Sequence, residues 1–396
     1  MICSPFFSNF ADTVLPFPMI LPKCTGKFWL MIVISGYHDH QPKFIKRIFW
    51  RNQPSEPLRI LKLTTVTYGT ASAPFLATRS LVQLAEDEQS EFPDAAKVVR
   101  EDFYIDDVLS GANTESEAIS LRRDLQKILA KGGFDIRKWC SNSEVILAEI
   151  PEGEREKLLQ IDDANNTVKM LGLQWDTRND QFRYFFQSVE YNVPMPITKR
   201  YVLSQISKLF DPLGFVSPVI VKAKVLMQTL WSRKLEWDET LPDNLLLQWR
   251  ILYNSLRFLN QIKVPRCIIP YHADTLEVHA YGACLYLRAT GAEAKCNLLV
   301  SKSKVAPLSP MTIPRKELCA AQLLVRLLMK SIPALKFPVS KIVLWSDSQI
   351  ALAWLQKDPS RLDVFVRNRV AEITKYTNQF SWQYVRSADN PADLIS

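Results

Sequence analysis

Arg100-Glu-Asp-Phe-Tyr-Ile-Asp-Asp-Val-Leu-Ser-Gly111 decides how the rest of the chain is read. Phe103, Ile105 and Val108 have the spacing of an apolar strand pair, yet two adjacent carboxylates, Asp106 and Asp107, stand at its tip. Like charges repel there, and successive strand side chains face opposite ways, so the pair weakens a hairpin whose task is simply to fold. A two-Mg²⁺ phosphoryl-transfer centre gives the pair a purpose. Such a centre needs hard oxygen ligands on a rigid strand, with Asp106 as one ligand and Asp107 assisting from the other side. An ordinary solvated Asp-Asp turn has the same letters, so the neighbourhood has to choose between the two readings.

On the C-terminal side, Thr114-Glu-Ser-Glu117 is a capping box, and Ala118, Leu121, Leu125, Ile128 and Leu129 make one apolar face before Gly132-Gly133 stops the helix. On the N-terminal side, a helix is expected from Ser72, with Pro74 near its first turn and an acidic end. The first 40 residues, with Pro5, Pro16, Pro18 and Pro22, show no periodicity. Further on, strands are expected at Val168 to Trp175 and Gln181 to Phe186, joined by a turn at 176–180. Thr198 caps a helix that closes at Asp211-Pro-Leu-Gly214, a second helix runs to about Trp231, and a third covers Leu245 to Leu259. After Pro265 the pattern becomes mixed. Strands at Val278 to Leu287 and Asn297 to Ser301, a helix from Pro314, a strand at Lys341 to Trp345, two helices and a strand at Phe380 to Val385 are expected to build one sheet, the first two strands pairing with each other.

A chain of 396 residues with 47% hydrophobic and 23% charged side chains can bury two or three cores, which excludes a disordered polymer. Its net charge of +8 suits a polyanionic partner without requiring one. The seven cysteines have no paired spacing, so neither a disulfide framework nor a zinc knuckle is expected, and a cytoplasmic, or nuclear, setting fits. The apolar run from Phe28 to Ile34 falls far short of the ~20 residues a membrane span needs, so no membrane partner is expected.

The flanks of the Asp-Asp pair resemble Pao/BEL-type LTR retrotransposon reverse transcriptases over about residues 41 to 260. The resemblance rests on Arg47-Ile-Phe-Trp-Arg51, Leu63-Thr-Thr-Val-Thr-Tyr-Gly69, Ala73-Pro-Phe-Leu-Ala77 and Phe134-Asp-Ile-Arg-Lys-Trp139. Lys208-Leu-Phe-Asp-Pro-Leu-Gly214 resembles the helical region often labelled a Pao peptidase. An aspartic protease, however, needs Asp-Thr-Gly or Asp-Ser-Gly, and the sequence has neither. Nearer the C-terminus, Pro314-Arg-Lys-Glu317-Leu, Trp345-Ser-Asp347-Ser-Gln and Asn390-Pro-Ala-Asp393-Leu resemble the second, third and fourth acidic positions of retroelement RNase H. The resemblance implies an α+β / α/β chain in three parts: a partial reverse-transcriptase palm at 1–140, a β-hairpin plus helical connection region at 141–262, and an RNase H-like mixed-sheet domain at 263–396. It further implies Mg²⁺ (or Mn²⁺) on Asp106 and Asp107 in one site and on Glu317, Asp347 and Asp393 in another, with RNA template and RNA–DNA hybrid as nucleic-acid partners.

It also exposes two gaps. Where the polymerase family has an Ala/Gly-Asp-Ile-x-Lys segment, this chain reads Cys24-Thr-Gly-Lys-Phe-Trp-Leu-Met-Ile32, without an acid. Where the RNase H family has Phe-x-Asp-Ala-Ser, Leu276-Glu-Val-His-Ala280 passes straight into Tyr281-Gly282-Ala283, and Asp274, before the strand, is the nearby stand-in. The expectation is an RNA-directed DNA polymerase and hybrid ribonuclease fragment impaired in both activities. The alternative is a non-catalytic remnant that binds nucleic acid.

Overall fold

In the computed structural model, the described residues are 28–32, 47–62, 71–104, 107–156, 159–162, 165–170, 173–186, 196–269, 273–291, 294–335 and 337–395. They form a mixed α/β chain that divides into two units, Cys24–Leu171 with Asp176–Asp180, and Gly172–Trp175 with Gln181–Ser396. The expected boundary at 262–263 falls inside the second.

The first unit contains β1 (Phe28–Ile32), β2 (Arg47–Trp50), β3 (Arg59–Lys62), α1 (Ala73–Glu88), α2 (Pro93–Glu101), β4 (Phe103–Tyr104), β5 (Asp107–Leu109), α3 (Glu115–Lys131), β6 (Ile136–Ser141) and α4 (Glu144–Ala148). One sheet has the order β4-β5-β1-β6, with β1 antiparallel to both neighbours. The capping box forms: Thr114 Oγ1 accepts from the Glu117 amide at 3.2 Å, and Glu117 Oε2 accepts from the Thr114 amide at 3.2 Å. The buried stripe Ala118, Leu125, Ile128 and Leu129 then packs with Leu81, Ala85, Ala96, Val99 and Trp139 in one core. Sequence periodicity missed α2. Its buried Ala95, Ala96, Val98 and Val99 span barely more than one turn, too short for a period to show. β2 and β3 pair as a hairpin apart from this sheet, with Phe49 73% and Trp50 52% exposed.

β7 (Leu159–Asp162) and β8 (Asn165–Met170) form an antiparallel hairpin. The stretch expected as one strand from Val168 to Trp175 is therefore divided between β8 and β9 (Leu173–Asp176). β10 (Gln181–Arg183) lies beside β9 and pairs antiparallel with β11 (Lys263–Pro265), beyond the helices.

Those helices are α5 (Lys199–Ile206), α6 (Ser217–Ser232) and α7 (Asp243–Ser255). Thr198 Oγ1 caps α5 by accepting from the Tyr201 amide at 3.3 Å. α5 stops at Ile206, short of the expected Asp211-Pro-Leu-Gly214, because that tetrapeptide builds the entry to α6. The buried Asp211 carboxylate accepts from Tyr184 Oη at 2.7 Å and from the amides of Phe215 and Val216 at 3.0 and 2.9 Å. Burial pushes this carboxyl above the usual carboxylate range, and the hydrogen bonds pull it back. Gly214, at φ +75°, abuts the edge of the next sheet. Ser301 donates its amide to Leu213 O at 2.8 Å and its Oγ to Gly214 O at 2.5 Å, and Lys224 Nζ donates to Ser303 O at 3.0 Å.

That sheet has the order β14-β13-β12-β15-β16. Its strands are β12 (Thr275–Tyr281), β13 (Cys284–Thr290), β14 (Lys295–Ser301), β15 (Lys341–Ser346) and β16 (Ser381–Tyr384). The expected single strand from Val278 to Leu287 is corrected to a hairpin. Tyr281 pairs with Cys284 across a two-residue turn in which Gly282 takes φ +48°, and it is β13 that pairs with β14. Continuous apolar patterning hid the reversal, since Val278, Ala280, Leu285 and Leu287 all face one core. β15 joins β12 in parallel and β16 joins β15 in parallel, so the sheet is mixed. Leu324, Leu327 and Leu328 of α8 (Ile313–Ser331) pack on that face. α10 (Val364–Thr377), which follows the short α9 (Gln349–Leu355), packs Val366, Val370 and Ile373 against Leu318, Ala321 and Val325 of α8.

Among the described cysteines, Cys140, Cys284, Cys296 and Cys319 are free and Cys267 is disulfide-bonded, which their spacing did not suggest. Among the described residues, no helix is long and apolar enough to cross a membrane.

Candidate acidic site

Three acids from three elements meet at one end of the mixed sheet. Asp347 follows the last residue of β15. There Ser346 Oγ accepts from the Ser348 amide at 3.2 Å, and Ser348 Oγ caps α9 by accepting from the Ala351 amide at 3.2 Å, so Asp347 sits in a tight strand-to-helix turn. Glu317 lies in the second turn of α8 and is half-buried. Asp393 lies in a 3-10 turn, Pro391–Ile395, where Asn390 Nδ2 donates to Asp393 Oδ1 at 3.0 Å and Asn390 Oδ1 accepts from the Ala392 amide at 3.1 Å. This turn seats Ala392 and Ile395 on Ala283 and Cys284 at the hairpin tip. A Cβ on Gly282 would lie 2.6 Å from Ala392 Cβ, so the glycine both makes the turn and admits the Asp393 segment.

The electrostatics record the grouping. Burial pushes the Glu317 carboxyl above the usual carboxylate range, and the charges of Asp347 and Asp393 push it further. Burial also raises the Asp393 carboxyl, Asp347 adds to this, and the Asn390 amide opposes it. Carboxylates whose proton affinity is raised by burial and neighbouring charge, as those of Glu317 and Asp393 are beside Asp347, suit a divalent cation, which would relieve the repulsion that protons relieve otherwise. Among the described residues, no group of three or more His, Cys, Asp or Glu side chains stands ready to hold a metal ion. The grouping is therefore electrostatic, not a formed ligand shell.

The remaining acids fall elsewhere. Asp106 lies outside the described residues. Of Asp107 the backbone is described, at the start of β5 opposite Met31 and Tyr104. β1, the strand paired with β5, is Phe28-Trp-Leu-Met-Ile32 and carries no acid. Asp274 immediately precedes β12, whose parallel pairing with β15 runs from Glu277 opposite Lys341 to Tyr281 opposite Trp345. Asp347 lies beyond the far end, so at ~3.3 Å per residue Asp274 is about 23 Å from that end of its strand. It cannot join the group. The acid of β12 itself, Glu277, is engaged with His279 at 3.0 Å, and the strand ends in Tyr281. Sequence reading gave Asn390 and Gly282 no role. The Asn390-Pro-Ala-Asp393 spacing was the available signal for the first, and a glycine between two apolar runs for the second.

Because Glu317 and Asp393 hold protons more tightly folded than unfolded, stability falls as pH rises from the ordinary carboxylate range through their raised values, and the loss persists above them. Glu317→Gln removes one of the repelling charges. It is expected to stabilise the chain near neutral pH by about 0.5–2 kcal/mol, with the gain vanishing below about pH 4, where the native carboxyl is neutral too. Thermal melts across pH check this, and a destabilised Glu317→Gln at neutral pH would contradict it.

Residues 198–348 match the family model described as the Pao retrotransposon-like RNaseH-like domain. The match takes in α5 to α7 together with Glu317 and Asp347, and its description is RNaseH-like, which gives no support to a peptidase. No curated protein matches the sequence. The foamy viral protease-reverse transcriptase dRH in complex with double-stranded DNA is similar, with a TM-score of 0.55 at 16% identity, covering 94% of this chain and 59% of that one. The foamy viral protease-reverse transcriptase in complex with RNA/DNA hybrid has a TM-score of 0.52 at 14% identity, covering 95% and 46%. The chain thus spans about half the length of these proteins, and at such identities the likeness is one of fold: this chain shares their mixed α/β fold.

Proposed function

We propose that the chain derives from a Pao/BEL-type retroelement polyprotein and that its second unit binds RNA–DNA hybrid at Glu317, Asp347 and Asp393, with hydrolysis impaired. Residues 1–140 are read as a partial reverse-transcriptase palm with Asp106 and Asp107, and 141–262 as its connection to the RNase H-like part. The observation that carries the reading is that the charges of Asp347 and Asp393 bear on Glu317 and that of Asp347 on Asp393, although the three come from a helix, a strand end and a turn that are distant in sequence. Those three carboxylates would hold Mg²⁺ or Mn²⁺, which in two-metal sites activates water and stabilises the leaving oxygen. The chain's own residues set the geometry: Asn390 orients Asp393, and Ser346 and Ser348 fix the turn bearing Asp347.

Impairment follows from β12. The strand beside β15 ends in Tyr281 and turns at once, so it offers no carboxylate at the site end, and Asp274 is out of reach. Misplacing a catalytic group by even ~1 Å can cost about 100-fold in rate, so a missing ligand should cost more. Accordingly, an RNA–DNA hybrid incubated with the chain and Mg²⁺ should be cleaved at the background rate, Asp274→Asn should change nothing, and hybrid binding should weaken steeply with salt. Brisk cleavage abolished by Asp274→Asn would show the reading of β12 to be wrong. A polymerase test runs in parallel: with no acid on β1, primer extension is expected to be absent.

A further inference from the structure

The sheet face opposite the α8 core carries a polar-aromatic group that the acidic site does not use. Glu277, His279 and Tyr281 alternate with the buried Val278 and Ala280, so they point away from that core. His279 Nε2 lies 3.0 Å from Glu277 Oε2, and Trp345 Nε1 donates to His279 Nδ1 at 3.3 Å. The Trp345 ring stacks on Tyr281 with centroids 5.7 Å apart at 8°, and on His279 at 6.3 Å and 21°. An indole N–H is a donor and never an acceptor, so Nδ1 must present a lone pair to it. The carboxylate accepts, so the single ring proton of neutral His279 belongs on Nε2. Both ring nitrogens are therefore satisfied in one tautomer of the neutral imidazole.

We propose that Glu277, His279 and Trp345 form a proton-sensitive latch on the strand end that presents Asp347. In neutral His279 the latch is closed and Trp345 is docked on the sheet face, two residues before Asp347. Protonation puts a hydrogen on Nδ1, facing the indole N–H. Two donors then oppose each other, the Trp345 bond is lost, and the imidazolium is retained by Glu277. No other atom changes hands: one proton from water enters Nδ1. The titratable and charged groups facing His279 are Glu277 on its own strand, Tyr286 directly opposite on β13, Arg288 with NH1 3.7 Å from Glu277 Oε2, and Lys341 opposite Glu277 on β15. Tyr281 stacks beyond Trp345, and Cys296 on β14 lies opposite Arg288. His279 is thus a positioning residue, acting on Asp347 through Trp345. The consequence for metal binding rests on the acidic-site reading above, whereas the latch itself does not.

The test uses the full chain labelled with 5-fluorotryptophan, the Trp345 resonance being assigned by its absence in Trp345→Phe. In the unmodified chain this resonance should move when the pH is lowered far enough to protonate the His279 ring. In His279→Asn, whose side-chain oxygen can take the place of Nδ1 as acceptor, it should stay fixed. Should that variant fail to fold, the ¹⁵N shifts of His279 in the unmodified chain decide instead, and an Nε2-protonated tautomer near pH 8 is expected. A static Trp345 resonance, the same movement in His279→Asn, or an Nδ1-protonated tautomer would overturn the latch. Mn²⁺ titration adds the link to Asp347: near pH 5.5 the unmodified chain should bind about tenfold more weakly than His279→Asn, and near pH 8 equally. Equal affinity at both pH values would overturn the link. Absence of Mn²⁺ binding in both chains would count against the acidic-site reading, with the fluorine signal still deciding the latch.

Discussion

Gly214→Ala is expected to unfold the second unit or to lower its stability by about 3 kcal/mol or more. Two penalties coincide at this position. Its φ of +75° is a conformation that L side chains rarely adopt, and a Cβ there would lie 2.0 Å from Ser301 O and 2.6 Å from Ser301 Oγ. The near neighbour is backbone of β14, which is held in place by its ladder to β13, so it cannot swing aside as a flexible side chain would. Relief would require breaking the bonds from Ser301 to Leu213 O and Gly214 O and pulling the Asp211 loop, with its Tyr184 contact, off the sheet edge. Gly153→Ala is the control. A Cβ there meets nothing within 4 Å, so stability should stay within about 0.5 kcal/mol. Urea melts of the two variants decide the matter. Equal midpoints would mean that the helical segment does not close on the sheet as the structure has it.

The same contact explains one place where sequence reading ran short. Lys208-Leu-Phe-Asp-Pro-Leu-Gly214 reads locally as a helix end followed by a break, and nothing within it says that the break is a docking surface for a strand some 90 residues later. The three-part division was drawn where the pattern changes from helical to alternating. Side-chain periodicity reports local structure, however, and not which elements share a core. Elements with strong local signals were legible, among them the Thr114 capping box, the Thr198 cap and the helix from Pro314. Elements whose identity depends on a partner were not. α2 is too short to show a period, and the turn at Gly282 is masked by apolar residues that continue across it. The acidic site was legible as three motifs in order, each acid next to a residue with a structural task. The position of Asp274 was not, because its distance from Asp347 depends on the parallel register of β12 and β15.

The most direct test of the acidic-site account is calorimetric titration with Mn²⁺. It should be run on a chain carrying Asp106→Asn and Asp107→Asn, so that the second unit's acids report alone. Burial and then neighbouring charge raise the carboxyls of Glu317 and Asp393, and the part due to repulsion is free energy that a divalent cation releases on binding. Replacing a residue that merely orients a metal ligand costs about 10–100-fold in affinity, so replacing a ligand itself should cost about 100-fold or more. The account predicts weak but measurable binding, with metal displacing whatever protons the raised carboxyls of Glu317 and Asp393 hold. Asp347→Asn should lose that binding, Asn390→Ala should weaken it by about tenfold through Asp393, and Asp274→Asn should leave it unchanged. Binding indifferent to Asp347→Asn, or lost in Asp274→Asn, would contradict it.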